Sequence, residues 1–265
     1  MAVSTPHGDT ASSGDNSSAN NTNAERIPSV AQFVSQASHD LKTPLAAISG
    51  YAVTLERRGD SLEQSLRYEM LYHIRGAAAR MQSAVDQLVD YARLELGAIE
   101  WEPVLVDVSE VVREIVRRVR EGFKDSDIEI EVEKTGLSVA KADPGRLSKA
   151  LEALVENALR HGSGKARVSL RVTAQFVSVR VEDGGEGIPD GLKSLIFSAD
   201  LEGRPRSGQP RGLGIALHNA RRIMRLQGGD IRLVAPRSTG DYPGAVFELL
   251  VPRATQLVRE DIEDA

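Results

Sequence analysis

Two consecutive stretches of about 30 residues carry apolar side chains at steps of three and four, and a chain patterned this way has few ways to fold. In the first, Val34, Ala37, Leu41, Leu45, Ile48, Ala52 and Leu55 fall in a stripe roughly 80° wide on a helix turning about 100° per residue. In the second, Leu66, Met70, Ile74, Ala77, Met81, Ala84, Leu88 and Tyr91 form the seam of a helical bundle. Gly59 between them is a stop signal, with Asp60 or Ser61 as the expected cap of the second helix. A hairpin of two helices, each roughly 45 Å long, cannot bury both stripes alone. The economical arrangement is a homodimeric four-helix bundle. A coiled-coil spacer explains the stripes equally well but gives no reason for the residues on the outer face.

That outer face carries SHDLKTPL at residues 38–45. His39 lies about 160° from the centre of the first stripe and Thr43 about 40° further round, so both face water. Asp40 can engage one imidazole nitrogen of His39 and leave the other free as a nucleophile. Pro44 cannot donate to the carbonyl of Asp40, so a bend within a turn of His39 is expected. A surface histidine beside a helix kink is the plain alternative for this pair taken alone.

Composition excludes several other functions. With 41% hydrophobic and 27% charged residues in 265, the chain suits one or two globular domains. A net charge of -5 argues against nucleic acid or anionic lipid as the main partner. The absence of cysteine removes disulfides, thiol catalysis and thiolate metal sites and fits a reducing compartment. No apolar run approaches the roughly 18 residues of a membrane helix, and the start has no signal-peptide character. The expectation is a cytoplasmic chain that makes no membrane contact itself. Residues 1–27, rich in Ser, Asn and Gly, are expected to be a disordered leader or a linker to a sensory module. The hairpin then occupies 28–98, a second domain 99–253 and an acidic, frayed tail 254–265.

Past a hinge at Gly97–Pro103 the periodicity changes. A strand near Val104–Val106 leads to a helix from about Ser109 to Arg120, capped by Asp107 or Ser109. IEIEVEK and SVAKA read as strands, and Asp143 with Pro144 starts a helix through LSKALEALVENALRH. RVSLRV and FVSVRVED alternate as a hairpin, and 189–211 is a polar loop expected to be mobile. GLGIALHNARRIMRLQGG continues as a helix, and DIRLVA and AVFELLVP close as strands. Helices and mostly antiparallel strands in this order predict a two-layer α/β sandwich.

Three features of this second domain carry chemistry. Asn157 lies among apolar helix residues, and its amide oxygen is a hard ligand suited to Mg²⁺, although a structural Asn is the commoner case. In VEDGGEGIP, Asp183 ends a strand where a carboxylate can accept a hydrogen bond from the exocyclic amine of adenine, while glycines let backbone approach a flat base. In PRGLGIAL, Gly212 and Gly214 enter a helix whose free N–H groups can hold phosphate, with Arg206 and Arg211 adding charge. Each is weak by itself. The run GSGKA is not a P-loop, because Leu159 and Ala166 stand where its first glycine and its Ser or Thr belong.

Taken in order, HDLKTP, VENALRH, DGGEGIP and GLGIAL resemble the H box, the N box and the two glycine-rich boxes of two-component sensor histidine kinases, over residues 29 to about 252. The resemblance implies a dimeric histidine-phosphotransfer hairpin followed by an ATP-binding domain of the Bergerat type. It implies that His39 is the phosphoacceptor, Asp40 its acid-base partner, Asn157 the Mg²⁺ ligand and Asp183 the adenine reader. Arg160 and His161 would line the nucleotide pocket, and Gly185, Gly187, Gly212 and Gly214 would shape the pocket and its lid. Thr43 resembles the threonine that positions water for attack on a regulator's phosphoaspartate. ATP and Mg²⁺ are the implied cofactors, and a second copy and a response regulator receiver domain the implied partners.

Three positions depart from the pattern. Pro210 stands where the second glycine-rich box commonly begins, and Asp200 where many members carry a second phenylalanine after Phe197. Ala153 replaces a residue that is often polar in these kinases. Related ATPases of the gyrase and mismatch-repair type place a water-activating glutamate there, and alanine cannot act as a base, so hydrolysis is not expected to be the main reaction. A dimeric pseudokinase acting as a signalling adaptor is the alternative that Pro210 keeps open.

Overall fold

The computed structural model describes residues 30–123, 126–132, 138–199, 214–235 and 242–254. The expected leader and all of the acidic tail past Ala254 lie outside these residues, as do Asp200, Arg206, Pro210, Arg211 and Gly212. Helix α1 (Val30–Arg58) and helix α2 (Gln64–Glu95) form the expected hairpin. Ala37 near the start of α1 shares an apolar cluster with Ala84 and Tyr91 near the end of α2, so the two run antiparallel. Helix α1 continues through Pro44 rather than stopping there. The connection differs from expectation: Gly59–Ser61 form a single 3-10 turn, and the residue capping α2 is Glu63, not Asp60 or Ser61. The hydroxyl of Ser61 instead donates to the carbonyl of Arg58 at 2.9 Å, which closes that turn and leaves it unavailable to α2.

Pairing of α1 with α2 leaves much apolar surface uncovered. Ala77, Ala84 and Tyr91 are buried, whereas Leu45 and Leu66 of the seams remain exposed. A second face of α2, with Leu71 52% exposed and Val85 and Val89 also open, lies roughly 95° round the helix from its seam.

From β1 onward a two-layer domain forms. Five strands, β2 (Asp127–Val132), β4 (Lys165–Val172), β5 (Phe176–Asp183), β6 (Asp230–Val234) and β7 (Val246–Pro252), make a sheet of order β2-β4-β5-β7-β6. All neighbours are antiparallel except β2 and β4, which are joined through a crossover and run parallel. β1 (Val104–Asp107) and β3 (Val139–Ala142) pair separately as a small antiparallel sheet. Helices α3 (Val108–Gly122), α4 (Pro144–His161) and α6 (Ala216–Leu226) cover one face, and a one-turn helix α5 (Asp190–Lys193) begins the stretch expected to be an irregular loop.

The period-two alternation explains why only one face is covered. Val168, Leu170, Val177, Val179, Val181, Phe247 and Leu249 meet Leu147, Leu151, Leu154 and Ala158 of α4 in a continuous core. The alternate positions carry charge: Glu248 accepts from Arg180 and from Ser178, each at 2.9 Å. Helix entry is set by carboxylates, since Asp107 accepts from Ser109 N–H and Asp143 from Arg146 N–H, both at 2.9 Å. Asp143 is also tied down by the N–H of Glu102 and by its own N–H to Gln227 Oε1. The start of α4 is thereby fixed, and with it the direction in which the helix presents Asn157.

The two parts meet through α2. Asp90 is buried and binds Arg146 Nη1 at 2.9 Å and Lys149 Nζ at 3.0 Å. Asn219 Nδ2 donates to the carbonyl of Gln87 at 2.8 Å, and Arg222 pairs with Glu95. Tyr91 packs beside the ring of His218 with centroids 5.8 Å apart. This junction is mainly polar.

Candidate active site

His39 stands on the outer side of α1, with its side chain 76% exposed. Its Nδ1 lies 3.0 Å from Asp40 Oδ1, and the Asp40 side chain is only 6% exposed. A buried carboxylate holding one nitrogen fixes the ring and leaves Nε2 toward solvent. The Thr43 hydroxyl donates to the backbone carbonyl of His39 at 3.3 Å, so it is on the same exposed side one turn along. The first expected constellation is therefore brought together as read from the sequence.

The second lies where β5 ends against α4. Asp183 is 3% exposed, and its Oδ1 accepts the N–H of Gly185 at 2.9 Å. Burial pushes its carboxyl above the ordinary aspartate range, opposed by the Gly185 hydrogen bond and by the nearby charge of His161 when protonated. A Cβ on Gly185 would overlap the carbonyl of His161, which is why α4 and this loop can approach so closely. Gly187 and Gly214 take φ values of 80° and 68°. Arg160 and His161 lie about 60° and 40° to either side of Asn157 on α4, both exposed at the end of the helix. Asn157 is half-buried and Arg160 pairs with Glu156 at 3.6 Å. Ala153 packs against the core one turn before Asn157 and brings no carboxylate to that side.

Two glycines that sequence reasoning passed over belong to the same site. A Cβ on Gly244 would overlap the Asp183 carboxylate itself, and one on Gly162 would overlap the carbonyls of Ala158 and Lys165. The N–H of Gly244 donates to the Asp183 carbonyl at 3.0 Å, and the Asp183 N–H to the carbonyl of Ala245 at 3.1 Å. Gly162 directly after α4 carried a signal, since it reads as a helix stop. Gly244 carried none, because Pro-Gly before a strand is an ordinary turn.

A buried carboxylate flanked by side-chain-free backbone suits the edge of a purine, and known families place the two constellations together. Residues 29–97 match the His Kinase A (phospho-acceptor) domain, and 142–255 match the histidine kinase-, DNA gyrase B- and HSP90-like ATPase family. The chain belongs to the two-component sensor histidine kinases. This histidine kinase is 31% identical over 220 residues to the sensor protein DivL of Caulobacter vibrioides, covering 82% of the chain and 27% of DivL. It is 28% identical over 233 residues to the histidine-protein kinase/phosphatase MprB of Mycobacterium sp. (strain KMS), covering 84% of the chain and 43% of MprB. The chain thus spans less than half the length of these relatives. The same fold occurs in the histidine kinase ThkA, crystallised in complex with the response regulator protein TrrA, with a TM-score of 0.59 and 22% identity over 85% of this chain and 62% of that one. No helix among the described residues of this histidine kinase is long and apolar enough to cross a membrane.

The raised pKa of Asp183 makes a stability prediction. Its charged form opposes folding at pH values above the raised folded-state pKa, and the opposition is relieved as pH falls through that value toward the ordinary aspartate range. Asp183→Asn keeps an acceptor for Gly185 and carries no charge. The nucleotide-free variant is expected to be at least as stable as the parent near pH 7, with the difference shrinking as pH falls through the raised folded-state value toward the ordinary aspartate range. Urea unfolding at neutral and at acidic pH checks this, and a variant clearly less stable near neutrality would contradict it.

Proposed function

We propose that the chain, through its parts 28–98 and 99–253, is a cytoplasmic histidine protein kinase that transfers the γ-phosphoryl group of ATP to His39 and then to an aspartate of a response regulator. The observation that carries this reading is the His39–Asp40 pair, with Nδ1 held at 3.0 Å by a nearly buried carboxylate and the opposite side of the ring in water. Nε2 then attacks the γ-phosphorus, the N–P bond forming as the bond to the leaving ADP oxygen breaks. Asp40 holds or accepts the Nδ1 proton as positive charge develops on the ring. Such a transfer asks mainly for positioning and charge neutralisation.

In the second domain Asp183 accepts from the adenine amine, and Gly185, Gly187 and Gly214 keep the walls of the site free of side chains. Arg160 and His161 border it from α4, and Arg211 and Gly212 are assigned to the phosphates on their sequence motif alone. Among the described residues no group of three or more His, Cys, Asp or Glu side chains could hold a metal by itself. Asn157, half-buried on α4, offers an amide oxygen as the protein ligand for a metal held together with the nucleotide, and Mg²⁺ bound this way would neutralise phosphate charge. A receiver domain docked over His39 would also meet Thr43, one turn along the same face. The kinase/phosphatase designation of MprB and the ThkA complex with TrrA support that partner and the reverse reaction. The exposed second face of α2, at Leu71, Val85 and Val89, supports a homodimer through residues 29–96.

Purified protein incubated with Mg²⁺ and γ-labelled ATP is expected to take up acid-labile, base-stable label that His39→Gln loses. Nucleotide binding with no label on His39 would instead make the chain an adaptor. Light scattering at micromolar concentration is expected to give twice the chain mass, and a monomer would remove the bundle reading. Thr43→Ala is expected to slow dephosphorylation of the cognate regulator while leaving His39 phosphorylation largely intact. Equal loss of both activities would mean that the hydroxyl, through its bond to the His39 carbonyl, only supports the helix.

A further inference from the structure

We propose that Tyr242 is a positioning residue for adenine recognition, acting through Gly244 on the carboxylate of Asp183. The proposal rests on the reading of Asp183 as the adenine acceptor. Gly244 leaves no space between its Cα and that carboxylate, so any shift of Gly244 moves the surface against which Asp183 is oriented. On one side Gly244 is held by the antiparallel ladder, through its own N–H to the Asp183 carbonyl and the Asp183 N–H to the Ala245 carbonyl. On the other side the chain leaves the ladder, and two residues upstream the ring of Tyr242 lies under Arg167, whose guanidinium carbon is 4.3 Å from the ring centroid.

The anchor is built on the open face of the sheet, away from the helices. Arg167 of β4 stands in register between Glu129 of β2 and Glu182 of β5. Its Nε is 2.9 Å from Glu129 Oε2, and Nη1 is 3.9 Å from Glu182 Oε2. The Tyr242 hydroxyl donates to the same Glu129 oxygen at 3.2 Å. The guanidinium is therefore oriented flat by two strands, and the ring is pinned by both its face and its hydroxyl.

Calorimetric titration of the full chain with ATP and with ITP, which lacks the exocyclic amine that Asp183 reads, separates orientation of the carboxylate from general support of the fold. Tyr242→Ala is expected to lower the ATP-to-ITP affinity ratio about two- to fivefold, the range of one partly exposed cation–π contact. Tyr242→Phe, which keeps the ring under Arg167, is expected to restore most of that ratio. An unchanged ratio in Tyr242→Ala, or an equal loss for both nucleotides, would overturn the proposal. Should Tyr242→Ala not unfold cooperatively, Arg167→Gln makes the same test with the same expected and overturning results. Asp183→Asn is the control: if it keeps the parent's ratio, the adenine reading itself falls and this proposal with it. If Asp183→Asn loses the ratio and Tyr242→Ala does not, only the role of Tyr242 falls.

Discussion

Much of the second domain is organised by one demand, that a carboxylate be buried at the end of a central strand with backbone packed closely around it. Asp183 is 3% exposed, and a buried carboxylate is tolerated only where hydrogen-bond donors surround it and nothing fills the space it must face. Backbone supplies the donors, through Gly185, and backbone without Cβ atoms supplies the space, through Gly185 and Gly244. Strand β5 can lie centrally because β4 and β7 flank it, and α4 closes over its end because the helix stops at Gly162. The core of α4 against the sheet supplies rigidity, and the site inherits its accuracy from that packing.

The junction between hairpin and ATPase domain has a different character. Asp90 with Arg146 and Lys149, Asn219 with the Gln87 carbonyl, and Arg222 with Glu95 are contacts that water can replace group for group. Asn219 Oδ1 is buried with no hydrogen-bond partner among the described residues. The apolar part of the junction joins Tyr91 and Ala84 of α2 to Ile215 and Ala199. In this arrangement the ATPase domain leaves His39 open to solvent. The proposed phosphoryl transfer requires the two sites to meet, and a polar junction opposes such a movement less than an apolar one would.

Some sequence expectations failed at the level of local detail. The cap of α2 was expected at Asp60 or Ser61, but the Ser61 hydroxyl serves the 3-10 turn that precedes the helix, so local competition between two backbone partners decided the outcome. The parallel pairing of β2 with β4 was not legible either, since β2 reads as an alternating strand whichever neighbour it takes. Helix existence, the capping roles of Asp107 and Asp143 and the hairpin of β4 with β5 were legible, because each rests on residues within a few positions of one another.

The same division holds for the function. Apolar periodicity determined the helical hairpin, outward placement along one helix determined that His39 and Thr43 share an exposed face, and the resemblance of an ordered set of motifs picked out Asp40, Asn157 and Asp183. Tertiary structure alone decided that Gly162 and Gly244 pack closely around Asp183, that Arg167 lies over the ring of Tyr242, and that Asp90 meets Arg146. The physical reason is that these contacts join residues far apart in the chain, where identity at one position carries no local mark of its partner.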